Sequence, residues 1–226
     1  IEYSEEGCGR YLIAEPDPVT FRVRQELDLQ TSIHDAHLDP LPGFDRETIR
    51  MQISTPASPT EVTEIDLRSG KSRQLKISVP PNGHDSTNYI VKRHYGVSGD
   101  GQLVPLTIVH HKNVVPNHGS PVLLTGYGAY GMSLTPRFSA TRRILLTRGV
   151  IHVTAHVRGG MEKGYQWYRS GRMADKDKSF DDFVGAAESL IRDGYTSAGH
   201  IIIHGGSAGG LLVGAVAMRR PELFRG

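Results

Sequence analysis

Six residues near the end of the chain, Gly205-Gly206-Ser207-Ala208-Gly209-Gly210, have the types and spacing of a covalent catalyst. They contain G-x-S-x-G, the pattern of a nucleophile elbow, in which a serine is forced into a strained turn between a strand and a helix. Residues two before and two after that serine must lack side chains, because strand and helix pass closely there. Ser207 would lift its hydroxyl above a sheet. The Ala208 backbone N–H, in the first turn of the helix, would offer a donor to a developing oxyanion. The competing reading is a glycine-rich turn whose serine only caps the helix. Context favours the elbow: Ile201-Ile202-Ile203 reads as a buried strand just before it. The residues from Ala208 onwards are helical in composition, with Arg219-Arg220 near the last turn before Pro221.

Other patterns that could do chemistry are weaker. Gly126-Tyr127-Gly128-Ala129-Tyr130-Gly131 fits G-x-G-x-x-G, but a dinucleotide site needs the last glycine to open a helix and an acid about 20 residues on. Pro136 interrupts the stretch, and no Asp or Glu occurs between Gly131 and Met161. The same acid-free stretch carries Arg137, Arg142, Arg143, Arg148 and Arg158, which read as solvated charges rather than an anion-binding face. His152 and His156 have helical metal-pair spacing, yet the run Val150 to Val157 is β-branched. On a strand four residues span about 13 Å, too far for one ion, so both read as core or sheet-end histidines. His34-Asp35-Ala36-His37 with Asp39 lacks a full ligand set and reads as a polar loop. A P-loop is excluded because Leu211 stands where its lysine would be.

The elements that must position Ser207 are legible in the second part of the chain. Pro105 to His110, Pro121 to Thr125 and Gly149 to Val157 read as strands. Ser179 with Asp182 reads as a capping box. Phe180, Phe183, Val184, Ala187, Leu190 and Ile191 follow at helical spacing until Gly194. Alternating strands and helices argue for a parallel sheet covered on both faces. Residues 1–85 have a different grammar of short strands separated by Pro, Gly and Asp, best seen in Thr48 to Thr55, Glu61 to Leu67 and Ser72 to Ser78. That is an antiparallel meander, and Pro80-Pro81-Asn82-Gly83 marks the expected boundary between the two halves.

Composition narrows the partners. The 226 residues suit one or two domains, and 26 Lys and Arg against 24 Asp and Glu leave +2. That balance gives no basis for nucleic-acid or membrane-surface binding, and no apolar run approaches the ~20 residues of a membrane helix. A single cysteine, Cys8, fits a reducing compartment, with the cytoplasm as the expected location. No signal peptide is visible after Ile1, and no oligomeric state is indicated.

Several segments together resemble the prolyl oligopeptidase family of serine peptidases, and its oligopeptidase B branch in particular. They are Gly126 to Gly131, Ala155-His156-Val157-Arg158-Gly159-Gly160 with Glu162, Gly164 and Trp167-Tyr168, Ser179 to Phe183, Gly194-Tyr195-Thr196-Ser197, and Gly205 to Gly210 continuing into Pro221 to Phe224. The resemblance implies an α/β-hydrolase domain over residues 86–226, preceded in residues 1–85 by the last blades of a β-propeller that gates access to short peptides. No cofactor or metal is implied. Carried over residue by residue, Ser207 matches the nucleophile, the Ala208 N–H one oxyanion donor and the Tyr127 hydroxyl the other. A tyrosine just after a sheet strand can act so, its ring packing while its hydroxyl meets the charge.

In that family the triad runs Ser, Asp, His along the chain. Ser207 is followed by nineteen residues with one acid, Glu222, and no histidine, while all eleven histidines precede it. The expectation is a fragment cut after the nucleophile helix; an upstream base such as His110 or His204 would need another elbow geometry. Cleavage after Arg or Lys is implied by the branch, through acids expected beyond residue 226. Thr135 and Arg137 stand where some members carry acids for a second basic residue, which argues against that second preference. The alternative class is a binding protein that keeps the fold without the chemistry.

Overall fold

The structure is a computed structural model that describes residues 2–29, 31–43 and 46–226; Ile1, Gln30, Phe44 and Asp45 lie outside the described residues. The chain separates into two compact units, residues 1–85 with 135–138 and residues 86–134 with 139–226.

The first unit is antiparallel throughout. Strands β1 (Glu2–Glu5), β2 (Cys8–Pro16) and β3 (Phe21–Glu26) form one sheet. Strands β4 (Asp35–Asp39), β5 (Thr48–Ser54), β6 (Glu61–Asp66) and β7 (Ser72–Ile77) form a second in chain order, the meander of a propeller blade. Alternation buries Met51 and Ile53 of β5 and Ile65 of β6 with Tyr11, Leu27 and Ala36. The β6–β7 turn closes because the Asp66 carboxylate accepts the backbone N–H of Arg68 and Ser69 at 3.1 and 2.7 Å. The His34 segment is not a polar loop. Asp35–Asp39 is strand β4, and His34 is buried with its two ring nitrogens 2.8 Å from the Thr31 and Gly9 carbonyls, a structural pin.

The second unit is a five-stranded sheet in the order β12-β10-β11-β9-β8. Its strands are β8 (Tyr89–Val97), β9 (Leu103–His111), β10 (Val122–Thr125), β11 (Ile151–Ala155) and β12 (Ile201–His204). Its helices are α1 (Ala140–Leu146), α2 (Tyr165–Arg169), α3 (Asp177–Arg192) and α4 (Ala208–Arg219). Strands β10, β11 and β12 are mutually parallel, as the alternating pattern predicts, whereas β9 runs antiparallel to β11 and β8 antiparallel to β9. For β8 and β9 the reason is local: the turn around Ser98 and Gly101, closed by Ser98 N–H to Gln102 O at 2.9 Å, makes them a hairpin that needs no crossover helix.

Alternation along β11 sorts the two faces. Ile151, Val153 and Ala155 join a buried cluster with Phe183, Ala187 and Leu190 of α3 and Leu212 and Val216 of α4. His152, the residue between, lies within electrostatic reach of Arg142 on α1, which packs on β9 and β11. Helices therefore cover both faces, and each fully buried Leu, Ile or Phe contributes about 1.5–3 kcal/mol. No helix of the described residues is long and apolar enough to cross a membrane.

Candidate active site

Ser207 sits between the end of β12 and the start of α4, with backbone angles φ 52° and ψ −122°. A non-glycine residue persists in that region only when its surroundings over-determine it. They do so here through contacts that only glycine permits. A Cβ on Gly205 would lie 2.2 Å from the Gly209 carbonyl oxygen, and one on Gly209 would lie 2.8 Å from the Gly126 carbonyl oxygen. The spacing rule read from the sequence thus has a concrete cause, the crossing of α4 over the ends of β12 and β10. Gly206, by contrast, has nothing within 4 Å of its missing Cβ.

The side chain of Ser207 is exposed and makes no capping bond to α4, so the helix-cap reading does not hold. Ala208 is the first residue of α4, and its N–H therefore has no acceptor within the helix. Tyr127 leaves the end of β10, the strand that pairs with β12 in register Thr125 to His204. Tyr127 and Ser207 thus emerge from the same edge of neighbouring parallel strands. A Cβ added at Gly209 would lie 3.5 Å from both the Cα and the Cδ2 of Tyr127, so the tyrosine stands beside the elbow with room there for no more than a glycine. Gly128 follows with φ +66°, a left-handed turn that a bulkier residue would resist.

Behind this edge lies a buried polar brace that the sequence reading missed. Arg158 is not a solvated charge: it is 3% exposed, and its backbone N–H donates to Asp182 Oδ2 at 2.8 Å. Its Nη2 donates to Asp182 Oδ1 at 2.5 Å and to Ser98 Oγ at 3.1 Å, and its Nη1 donates to Asp100 Oδ2 at 2.6 Å. Burial alone would disfavour the guanidinium charge, but the bonds to Asp182 and Asp100 outweigh it and raise its pKa above the ordinary arginine value. Ser179 and Asp182 are not a capping box, because α3 already begins at Asp177 and both are fully buried inside it. Ser179 Oγ donates to the Arg158 carbonyl at 2.6 Å. Glu162, also buried, accepts the Leu134 N–H at 2.9 Å, and a Cβ on Gly160 would strike its Oε2 at 2.1 Å. The available clue was that Arg158 directly follows the apolar β-branched run Val150 to Val157, where a charge needs an acid from elsewhere in the chain.

The histidines fall where the strand spacing puts them. His152 is buried on β11 and His156 just beyond its end, with His156 Nε2 and Thr107 Oγ1 2.8 Å apart. Burial first, then Arg142 and His204, push the His152 pKa down to about 3, leaving it neutral. No hydrogen bond joins the Ser207 hydroxyl to any histidine among the described residues, His110 and His204 included. Among the described residues no three His, Cys, Asp or Glu side chains gather as metal ligands. The Gly126 to Gly131 loop opens no helix, the next one being α1 at Ala140, so the dinucleotide fingerprint lacks its anion site.

A serine on a strained turn between a parallel strand and a helix, in a sheet covered on both faces, defines the α/β-hydrolase class. Residues 136–226 match the prolyl oligopeptidase family model. The chain is 36% identical over 195 residues to dipeptidyl aminopeptidase BI of Pseudoxanthomonas mexicana, covering 86% of this chain and 27% of that protein. It is 37% identical over 183 residues to protease 2 of Moraxella lacunata, covering 81% and 26%. Oligopeptidase B from Trypanosoma brucei, in its closed form with covalently bound antipain, superposes with a TM-score of 0.88 at 33% identity over 96% of this chain and 32% of that one. The Leishmania major oligopeptidase B gives 0.86 at 33%, over 96% and 31%. The chain belongs to the prolyl oligopeptidase family, and spans about a quarter of the length of the curated relatives it matches.

Proposed function

We propose that this chain carries the acylating part of a serine oligopeptidase. Ser207 Oγ attacks the carbonyl carbon before the cut while its proton passes to a histidine. The oxyanion so formed takes hydrogen bonds from the Ala208 N–H and the Tyr127 hydroxyl. Collapse breaks the C–N bond, the amine leaves with the proton from that histidine, and water then cleaves the ester. The observation that carries this reading is the strained Ser207 turn packed through Gly209 against Tyr127. The family order, Ser then Asp then His, makes the histidine and its orienting acid residues that come after the nucleophile in the chain.

Residues 1–85 then belong to the end of a gating propeller and residues 86–226 to the first part of the catalytic domain. The preference for Arg or Lys before the cut follows the likeness to oligopeptidase B. A cytoplasmic location accords with a sole, buried cysteine that can form no internal disulfide. The test uses the complete protein that carries this chain and short peptides differing only before the scissile bond. Arg and Lys peptides should be cut about tenfold faster than Pro or Ala peptides, and Ser207→Ala should abolish all cutting. An unchanged rate in Ser207→Ala would sink the nucleophile assignment, whereas preferential cutting after Pro would overturn only the Arg or Lys preference.

A further inference from the structure

The loop that carries Tyr127 is tied down by a lysine that forms no ion pair among the described residues. Lys176 is half-buried just before α3 and makes no ion pair within 4 Å among the described residues. Its Nζ donates instead to the Gly128 carbonyl oxygen, 48 residues away, and to Ser179 Oγ at 3.2 Å, and it stands 5.7 Å from the Phe180 ring centroid. Lysine is strongly hydrated and ordinarily keeps its head in water, so a half-buried one is there for what it holds.

What it holds is the residue after Tyr127. Among the described residues Lys176 is the only side chain that bonds the backbone between Gly126 and Gly131. The ends of that stretch are fixed by backbone bonds, Gly126 N–H to His204 O at 3.2 Å and Gly131 N–H to Gly159 O at 2.9 Å. The middle contains two left-handed residues, Gly128 at φ +66° and Tyr130 at φ 58°, and has no ladder partner to keep it there. The Gly128 carbonyl is further enclosed by Gly159, where a Cβ would lie 2.1 Å from it.

We propose that Lys176 is a positioning residue for Tyr127, fixing the Gly128 peptide so that the tyrosine stays against the elbow. The inference rests on the reading of Tyr127 as an oxyanion donor. Burial lowers the Lys176 pKa below the usual lysine value, with Asp182 working in the opposite direction, which is the cost of placing an ammonium there.

The test is a double-mutant cycle in the complete protein, with rates expressed per phosphonate-titratable site so that misfolded material drops out. Lys176→Met should lower kcat about tenfold with KM within about twofold, because a displaced oxyanion donor is missed in the transition state and not in ground-state binding. In a Tyr127→Phe background the same change should cost less than about twofold. Lys176→Arg, which keeps the charge and a donor, should stay within about threefold of the parent enzyme. An equal loss in both backgrounds, no loss in the parent, or an arginine variant as impaired as the methionine one would overturn the proposal. An unchanged kcat in Tyr127→Phe alone would instead refute the oxyanion role of Tyr127.

Discussion

The blade unit and the hydrolase unit of this chain are both built on sheets, but they are held by different means. In the first, six of the described residues form the buried core cluster, β3 and β7 are exposed along their whole length, and charge pairs such as Arg50 and Arg73 with Glu64 and Arg68 with Glu47 lie at the surface. In the second, eighteen of the described residues form one buried cluster, and a buried Arg158, Asp182, Ser98 and Ser179 network joins a hairpin turn, a strand end and a helix. The blade is specified by periodicity, which many sequences satisfy. The hydrolase edge is specified by close approaches and buried charge, which few sequences satisfy, and that is where the strained serine stands.

The contrast can be broken most severely at the elbow. Gly205→Ala forces a methyl group onto the Gly209 carbonyl, so it should cost more than about 4 kcal/mol and leave little folded hydrolase unit. Gly206→Ala, one residue away with open space at its Cβ, should stay within about 1 kcal/mol. Denaturant midpoints of the two variants measure the difference; equal losses would mean that the motif is a propensity effect and not a packing one.

Next in size is the brace. Arg158→Met leaves the Asp182 carboxylate buried without its guanidinium, keeping only the backbone N–H of residue 158, an expected loss of about 3–5 kcal/mol. In the blade, Arg68→Met removes an exposed pair with Glu47 and should not shift the unfolding midpoint measurably. Comparable shifts at the two sites would erase the distinction between the units.

The smallest effect concerns pH. The His152 pKa falls from 6.5 to about 3 on folding, through burial, Arg142 and His204, so its neutral form is favoured in the native state. Below pH 6.5 the unfolded chain takes up a proton that the native chain refuses, and stability falls as pH drops from about 6.5 towards 3, by a few kcal/mol in all. His152→Leu should flatten that acid limb in urea melts between about pH 6 and 4 relative to the parent. Parallel pH profiles would place the acid sensitivity elsewhere.

Sequence carried much of this fold. Strands β5, β6 and β7 and the β12–Ser207–α4 turn lie within a residue or two of where β-branched runs and glycine spacing put them. The Tyr127 loop was legible through family likeness and not through any local rule. What stayed hidden depends on partners distant in the chain. Ser179 and Asp182 have the i, i+3 spacing of a cap, and only the arrival of Arg158 from 24 residues earlier in the sequence reveals their use. The bond from Lys176 to Gly128 leaves no periodicity at all. Strands β8 and β9 are antiparallel because of a five-residue turn, Ser98 to Gln102, a signal easily lost beside alternating strands and helices.

The central claim is that Ser207 is the nucleophile of this family member, and trapping it chemically tests that most directly. The complete protein would be treated with a serine-reactive fluorophosphonate and the modified residue located by peptide mass spectrometry. The account predicts one adduct, on the peptide containing Gly205 to Gly210, forming in step with loss of peptide hydrolysis and absent from Ser207→Ala. An adduct on another serine that tracks the activity, with hydrolysis intact in Ser207→Ala, would contradict it.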